Sequence, residues 1–491
     1  MPSRRQFIDT CTRCLAALSL DLNLKLSATT KAPGVLVNDV HSQLNATRVG
    51  SVLRPETYAE LSNSIPSMIR KNLSISICGS RHAMGGQQFG EGTELVDLTA
   101  LDKVIHLNRE EKIVEVEAGI TWPKLIAWLN LHAPELSIIQ KQTGADELTL
   151  GGALSANIHG RGLSQRPIIE NVESFVMLNA KGECINCSRT EESELFKLAI
   201  GGYGLFGIIL SIKLRLTNRI KLERIVETRS VGGLVQTIEQ RVSEGYVFGD
   251  LQYMTDCEDI DFMRQGVFSC YKPAAPDAEV AKLDHKLSEA DWQNLYLLAH
   301  VDKGRAFKTY KDYYAQTNGQ IYWYDHHQQS IYLKNQNQKL NRRLGSKFSS
   351  SLMISELYVP RSRLHAFMEN TRLAAREQKM DIIYGTIRFI EKDEESFLAW
   401  AKEPYACIIF NLHVVHSTSG IEKAKFDFRR LIDEALQLGG SFYLTYHKWA
   451  RKDQVLQAYP QFPDFLAKKK LYDPEIRFTS DWYRHYASMF L

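Results

Sequence analysis

His82, in the run Gly79-Ser-Arg-His82-Ala-Met-Gly-Gly-Gln87, has the setting in this chain that most invites chemistry. The tetrad Ile75-Ser-Ile-Cys78 before it has the length and residue types of a short strand, and the glycines that follow break it into a loop. N–H groups along such a loop, from Gly79 to Ala83, point into one concavity that suits a pyrophosphate, and glycine lets the backbone approach the ligand. A neutral imidazole there can act as a nucleophile, a role that a turn between strands does not need.

Other reactive side chains are scattered. Tyr443-Leu-Thr-Tyr-His-Lys448 reads as a strand with Tyr443, Thr445 and His447 on one face and Tyr446 and Lys448 on the other. Glu356, Arg388, Asn411 and His413 fall on further predicted strands, as pocket lining or as hydrogen-bonded members of the sheet. Asp325-His-His327 lies in a polar, aromatic stretch and reads as surface or pocket. Two CxxC pairs, Cys11/Cys14 and Cys184/Cys187, are too distant in sequence to build one zinc site. Cys184 and Cys187 follow a predicted hairpin turn on a strand, where residues three apart face opposite sides. No metal site is expected.

The elements that must position these groups alternate from Arg48 onward. A helix runs from about Pro55 to Lys71, and short alternating strands follow at Leu95–Leu98, Lys103–Leu107 and Lys112–Glu117. Thr121 reads as the N-cap of a helix with Pro123 in its first turn. Strands at Val172–Leu178 and Gly207–Leu216 flank a helix at about Glu191–Ala199. After Thr217 the composition turns richer in Tyr, Gln and Asp. Helices are expected around 275–320 and 361–378, and strands at Phe348–Tyr358, Tyr384–Phe389 and Ala406–Val415. The class is α+β, with strands and helices segregated.

Composition narrows the function. With 491 residues, 44% of them hydrophobic, the chain supports two domains. A net charge of +3 without a basic run gives no sign of a nucleic-acid partner. No apolar stretch reaches the roughly 20 residues of a transmembrane helix. Ser3-Arg-Arg-Gln-Phe-Ile8, followed by the apolar Cys14–Leu20, resembles a twin-arginine export signal over residues 1–32. An exported or periplasmic protein is therefore expected, and otherwise a cytoplasmic one.

Four glycine-bearing segments belong to the first half: the loop at Gly79, Val116-Glu-Ala-Gly119, Thr149-Leu-Gly-Gly-Ala-Leu-Ser-Ala-Asn-Ile-His-Gly160, and Gly201-Gly-Tyr-Gly-Leu-Phe-Gly-Ile-Ile209. The last contains a G-x-G-x-x-G at Gly202, Gly204 and Gly207, but it follows a helix and opens a strand, the reverse of a dinucleotide fingerprint. What remains is a set of small-residue loops able to wrap a long phosphate-bearing ligand.

In their order and spacing these four segments resemble the FAD-binding domain of the vanillyl-alcohol oxidase/p-cresol methylhydroxylase superfamily (the PCMH type), over residues 45–220. The resemblance implies a two-domain α+β fold, with a substrate-binding cap at 225–440 and a C-terminal segment, 441–491, returning to the FAD domain. It implies that Gly79, Ser80, Arg81, His82 and Ala83 hold the pyrophosphate. Ala118, Gly144, Thr149, Gly151, Gly152, Ala156, His159 and Tyr443 would line the flavin and ribityl chain, with Ile209 toward the adenine. His82 matches the histidine that carries flavin covalently in the lactone and alditol oxidases and in cytokinin dehydrogenase. No cysteine stands near Thr143-Gly-Ala-Asp146 for a second link.

The implied reaction is hydride transfer from a substrate C–H to flavin N5, with Tyr446, His447 and Lys448 as candidates for the base. The small-molecule substrate would be a sugar-derived, lactone or polyol-like alcohol. Alternatives are a CH–NH donor and a flavin-binding subunit without catalysis of its own. Oxygen and a redox partner both remain open as electron acceptor, since the Ala118 methyl beside the oxygen path is compatible with either.

Overall fold

The structure is a computed structural model that describes residues 34–144, 146–280, 287–329 and 335–491. The twin-arginine segment and the Cys11/Cys14 pair lie outside the described residues.

Leu61, Ile65 and Met68, at helical spacing, bury one face of the helix Tyr58–Arg70, whose start is capped by the Thr57 side chain accepting from Glu60 N–H. That helix connects Ser51–Leu53 to Ile75–Cys78, and Glu94–Asp97 pairs between the two in parallel. The result is one small crossover sheet that aims the end of Cys78 at the His82 loop.

A second sheet is antiparallel, in the order Cys184–Ser188, Val172–Leu178, Ile208–Asn218, Ile113–Glu117, Val104–Asn108, with Leu136–Ile138 also on Ile208–Asn218. Cys184 is exposed and Cys187 buried, on opposite faces as strand alternation requires. The third sheet has eight strands, in the order Ile321–Trp323, Lys221–Ser230, Gln265–Pro273, Phe248–Tyr253, Ile382–Ile390, Tyr405–Val415, Ser350–Pro360, Ser441–Phe442. Helices Leu364–Gln378 and Thr418–Gln437 pack against it. The fold is thus the two-domain α+β class expected.

Three expectations need correction. Leu150–Ala156, read as part of a small-residue loop, is a helix, started by the Thr149 side chain accepting from Gly152 N–H and stopped by Asn157 in the left-handed conformation. The predicted strand at Tyr443–Lys448 ends at Phe442, and the chain beyond it turns. The strict two-face alternation assigned to those side chains therefore does not apply. Thr121 stands at its helix N-terminus but makes no side-chain cap bond.

The C-terminal segment binds the loop-bearing strand directly. Ile75 N–H donates to Arg477 O at 2.6 Å, and Thr479 N–H to Ile75 O at 2.9 Å. Lys469, fully buried, donates to Leu205 O at 2.7 Å and pairs with Asp473.

Candidate functional site

A cavity of about 1330 Å³ runs between the first two sheets and the eight-stranded sheet. This exceeds the roughly 300–1,000 Å³ of a pocket for one small ligand, and so leaves room for a dinucleotide with a substrate beside it.

The wall built by the first half of the chain starts at the loop after Cys78. Gly79 packs so closely on Thr149 that a Cβ there would fall inside the Oγ1 contact distance. Arg81 adopts the left-handed conformation, φ +62, and its guanidinium turns aside to Asp97 at 3.1 Å. Among the described residues, the backbone N–H groups of Ser80, Arg81 and Ala83 donate no hydrogen bond to the protein, and these residues line the cavity. That is a set of donors suited to an anion. Gly151 lies against Ala118, with its N–H on Ala118 O at 2.8 Å. A β-bulge between Ile209 and Ser211 breaks the register where Ile209 reaches the cavity.

His82 Nδ1 faces His41 Nε2 at 2.9 Å, one ring donating and the other accepting. Burial, reinforced by His41, pushes the His82 imidazole down to about 3, so it is neutral at physiological pH and keeps a nucleophilic lone pair.

On the opposite wall a buried carboxylate gathers donors. Glu356 Oε1 accepts from His159 Nε2 at 2.5 Å, Tyr358 Oη at 2.7 Å and Cys407 Sγ at 3.2 Å. Its Oε2 accepts from Tyr446 Oη at 3.0 Å. Burial alone would raise this carboxyl, but His159, the Tyr358 hydrogen bond and Arg388 outweigh it and hold it at about 2. Burial and the neighbouring Glu356 push the Tyr446 phenol well above its ordinary value, so it remains a hydroxyl. With roughly four acceptor positions on a carboxylate, three donors crowd Oε1 while Oε2 keeps a place beside Tyr446. Arg388 reaches across to Thr143 Oγ1, and its Nε lacks a partner.

Every residue assigned above to cofactor binding lines this one cavity, from the Gly79–Ala83 loop through His159 and Ile209 to Tyr443. Tyr443 donates to Ala156 O at 2.6 Å and so ties the tail to the helix Leu150–Ala156. Of the three candidates for the base, only Tyr446 is there. His447 and Lys448 turn away, because the strand has ended, and line a separate cavity of about 310 Å³ with Asn45, Thr47 and Asp481. There His447 stacks on Trp449 at 3.6 Å.

Glu356 and Arg388 were legible only as polar residues on predicted strands, whereas Asn411 lines the cavity and His413 is held by Asp381 at 2.9 Å. His41, Tyr358 and Cys407 carried no sequence signal, since no motif surrounds them. Asp325 and His327 hold the fold: Asp325 pairs with Arg219 at 2.8 Å and His327 Nδ1 donates to Tyr324 O at 2.7 Å.

The loop amides, the glycine packing and the neutral imidazole together fit a pyrophosphate-bearing flavin. Comparison with known families agrees. Residues 50–188 match the family model of an FAD binding domain. Cytokinin dehydrogenase 2 of Arabidopsis thaliana is 29% identical over 209 residues, 42% of this chain and 40% of the relative. The mitochondrial L-galactono-1,4-lactone dehydrogenase of the same plant is 30% identical over 169 residues, 34% of this chain and 27% of the relative. An uncharacterized oxidoreductase of the fasciation locus of Rhodococcoides fascians is 28% identical over 171 residues, 34% of this chain and 37% of the relative. The matched segments thus span less than half the length of these curated relatives.

Proposed function

From the premise that this chain belongs to the PCMH-type FAD oxidoreductase superfamily, we propose that it oxidises the CH–OH group of a sugar-derived, lactone or polyol-like substrate, with FAD held covalently through His82. The observation that carries the reading is the Tyr446 hydroxyl bonded to Glu356 at 3.0 Å in the cavity that also contains the His82 loop.

The Gly79–Ala83 amides would hold the pyrophosphate, and Ala118, Gly151, Gly152 and Tyr443, which line the same cavity, would hold the flavin. FAD, when bound, supplies the two-electron acceptor for a substrate C–H bond. The proton is the chain's own task. Tyr446 gives its hydrogen to Glu356 and so presents its oxygen lone pairs to a substrate hydroxyl. As that hydroxyl loses its proton to Tyr446 Oη, the tyrosine's proton passes to Glu356 Oε2. His159 and Tyr358 fix the carboxylate, so the relay needs no reorganisation. Oxygen or a redox partner is the proposed final acceptor.

A second reading, CH–NH oxidation, draws on the tyrosines Tyr310, Tyr313, Tyr314 and Tyr322 of the cavity wall, on which a flat amine would stack, and on relatives named cytokinin dehydrogenase. Anaerobic mixing with polyols, aldonolactones and secondary amines tests the two. Bleaching of the visible flavin band by an alcohol supports the first reading, and bleaching by amines alone replaces it with the second. Bleaching by neither leaves a flavin-binding protein without its own turnover.

A further inference from the structure

The buried cluster around Glu356 brings three different metal-ligating atoms to one point. Cys407, on the strand Tyr405–Val415, stands opposite Tyr358 in register, and Tyr358 and Glu356 are alternate residues of Ser350–Pro360. Thiol and carboxylate therefore share the sheet face that meets His159. His159 Nε2, Glu356 Oε1 and Cys407 Sγ all lie within 4.8 Å of one another. His159 and Glu356 line the main cavity, and Cys407 is fully buried beside them.

Protons alone account poorly for this convergence. One carboxylate oxygen offers roughly two lone-pair positions, yet His159 Nε2, Tyr358 Oη and Cys407 Sγ all turn to Oε1. His159 Nδ1 donates to Gly160 O at 2.9 Å, so a second donation from Nε2 requires an extra proton on the ring. A cation between Nε2 and Oε1 requires none. That outer bond to a backbone carbonyl is also what aims the free nitrogen of a metal-holding histidine. Tetrahedral zinc, with bonds of about 2.0 to 2.3 Å, sets its ligand atoms about 3.3 to 3.6 Å apart. Cys407 Sγ is already near that spacing, 3.2 Å from Glu356 Oε1 and 3.8 Å from His159 Nε2. Only the His159–Glu356 contact, at 2.5 Å, has to open.

We propose that His159 Nε2, Glu356 Oε1 and Cys407 Sγ form a binding site for a thiophilic divalent cation of the zinc type, whose fourth ligand comes from the cavity. The metal displaces two protons, that of the Cys407 thiol and that of His159 Nε2. Its two charges replace theirs, so the buried site carries the same net charge with the metal as without it. Magnesium and calcium, which take about six or more oxygen ligands, do not suit a site with one oxygen. The consequence rests on the proposed alcohol oxidation. A carboxylate that shares its electrons with zinc no longer takes the Tyr446 proton, so the metal switches turnover off.

Titration of the chelator-treated, flavin-loaded protein with cobalt(II), zinc(II) and magnesium(II), in the absence of substrate, tests the site. Cobalt is expected to give the d–d bands of a tetrahedral thiolate site, on the red side of the flavin absorption, and zinc to displace it. Magnesium should bind at least about 100-fold more weakly than zinc. Cys407→Ser should lose the bands while keeping its flavin. X-ray absorption at the zinc edge of the wild-type complex should show a single sulfur ligand, and it decides the matter even if Cys407→Ser fails to fold. Magnesium binding as tightly as zinc, bands that persist in folded Cys407→Ser, no sulfur at the edge, or the two sulfurs that the Cys11/Cys14 pair would supply, would each overturn the site. Turnover of the zinc-loaded enzyme should fall at least about tenfold and recover with chelator, and turnover that zinc leaves unchanged would overturn the switch. Failure of every alcohol to bleach the flavin sinks the oxidation reading instead, and the cobalt bands still decide the site.

Discussion

Replacing Glu356 by glutamine keeps the shape of the side chain and removes its charge, and two consequences follow from its surroundings. Against burial, which alone would raise it, His159, the Tyr358 hydrogen bond and the Arg388 charge hold the wild-type carboxyl at about 2, below its ordinary value of 4.5. That difference corresponds to about 3 kcal/mol of folding stability. Because the folded-state value is lowered, this stabilisation is present above about pH 4.5 and is lost as the pH falls toward 2. Glutamine does not titrate. The gap in unfolding free energy between wild type and Glu356→Gln should therefore narrow by about 2 kcal/mol between about pH 7 and about pH 3, as measured by urea unfolding followed through tryptophan fluorescence. In turnover, loss of the proton acceptor behind Tyr446 should lower kcat by about a hundredfold or more, with flavin content unchanged. A stability gap that stays constant across this range would refute the ionised, hydrogen-bonded carboxylate. A kcat within about threefold of wild type would refute its place in the proton path.

Tyr446→Phe should reduce kcat by roughly 10- to 100-fold with little change in KM, since the ring stays and only the relay oxygen goes. Gly79→Val should leave a folded protein that fails to load FAD, read as the ratio of flavin to protein absorbance, because the added side chain runs into Thr149. Lys448→Met should keep kcat/KM within about threefold of wild type, because Lys448 lines the small separate cavity.

The FAD-binding half was largely legible, because its signals are local. Ile75–Cys78 carries a strand pattern that runs straight into a glycine break, and Val172–Leu178 is bounded by its own alternation. The helix Leu150–Ala156 was hidden by Gly151 and Gly152, whose low helix propensity is overridden by backbone bonds to Ala118 and Ile120. In the tail, the Tyr443–Lys448 alternation was apolar and aromatic enough to read as a strand. The segment instead turns after Phe442, where the Tyr443 hydroxyl donates to Ala156 O and the Trp482 indole N–H donates to Leu444 O at 3.2 Å. Long-range partners of this kind leave no periodicity behind. The same holds for the Glu356 cluster: it joins residues from four distant segments, so no spacing in the sequence announces that His159, Glu356, Cys407 and Tyr446 meet.

Acid precipitation of the purified protein, with the visible spectrum of pellet and supernatant recorded, tests the central claim most directly. A flavin spectrum retained in the wild-type pellet, and shifted to the supernatant in His82→Ala, is the predicted result. Colour released entirely from wild type would contradict covalent attachment through His82, and a protein that stays colourless after reconstitution with FAD would contradict the flavoprotein account itself.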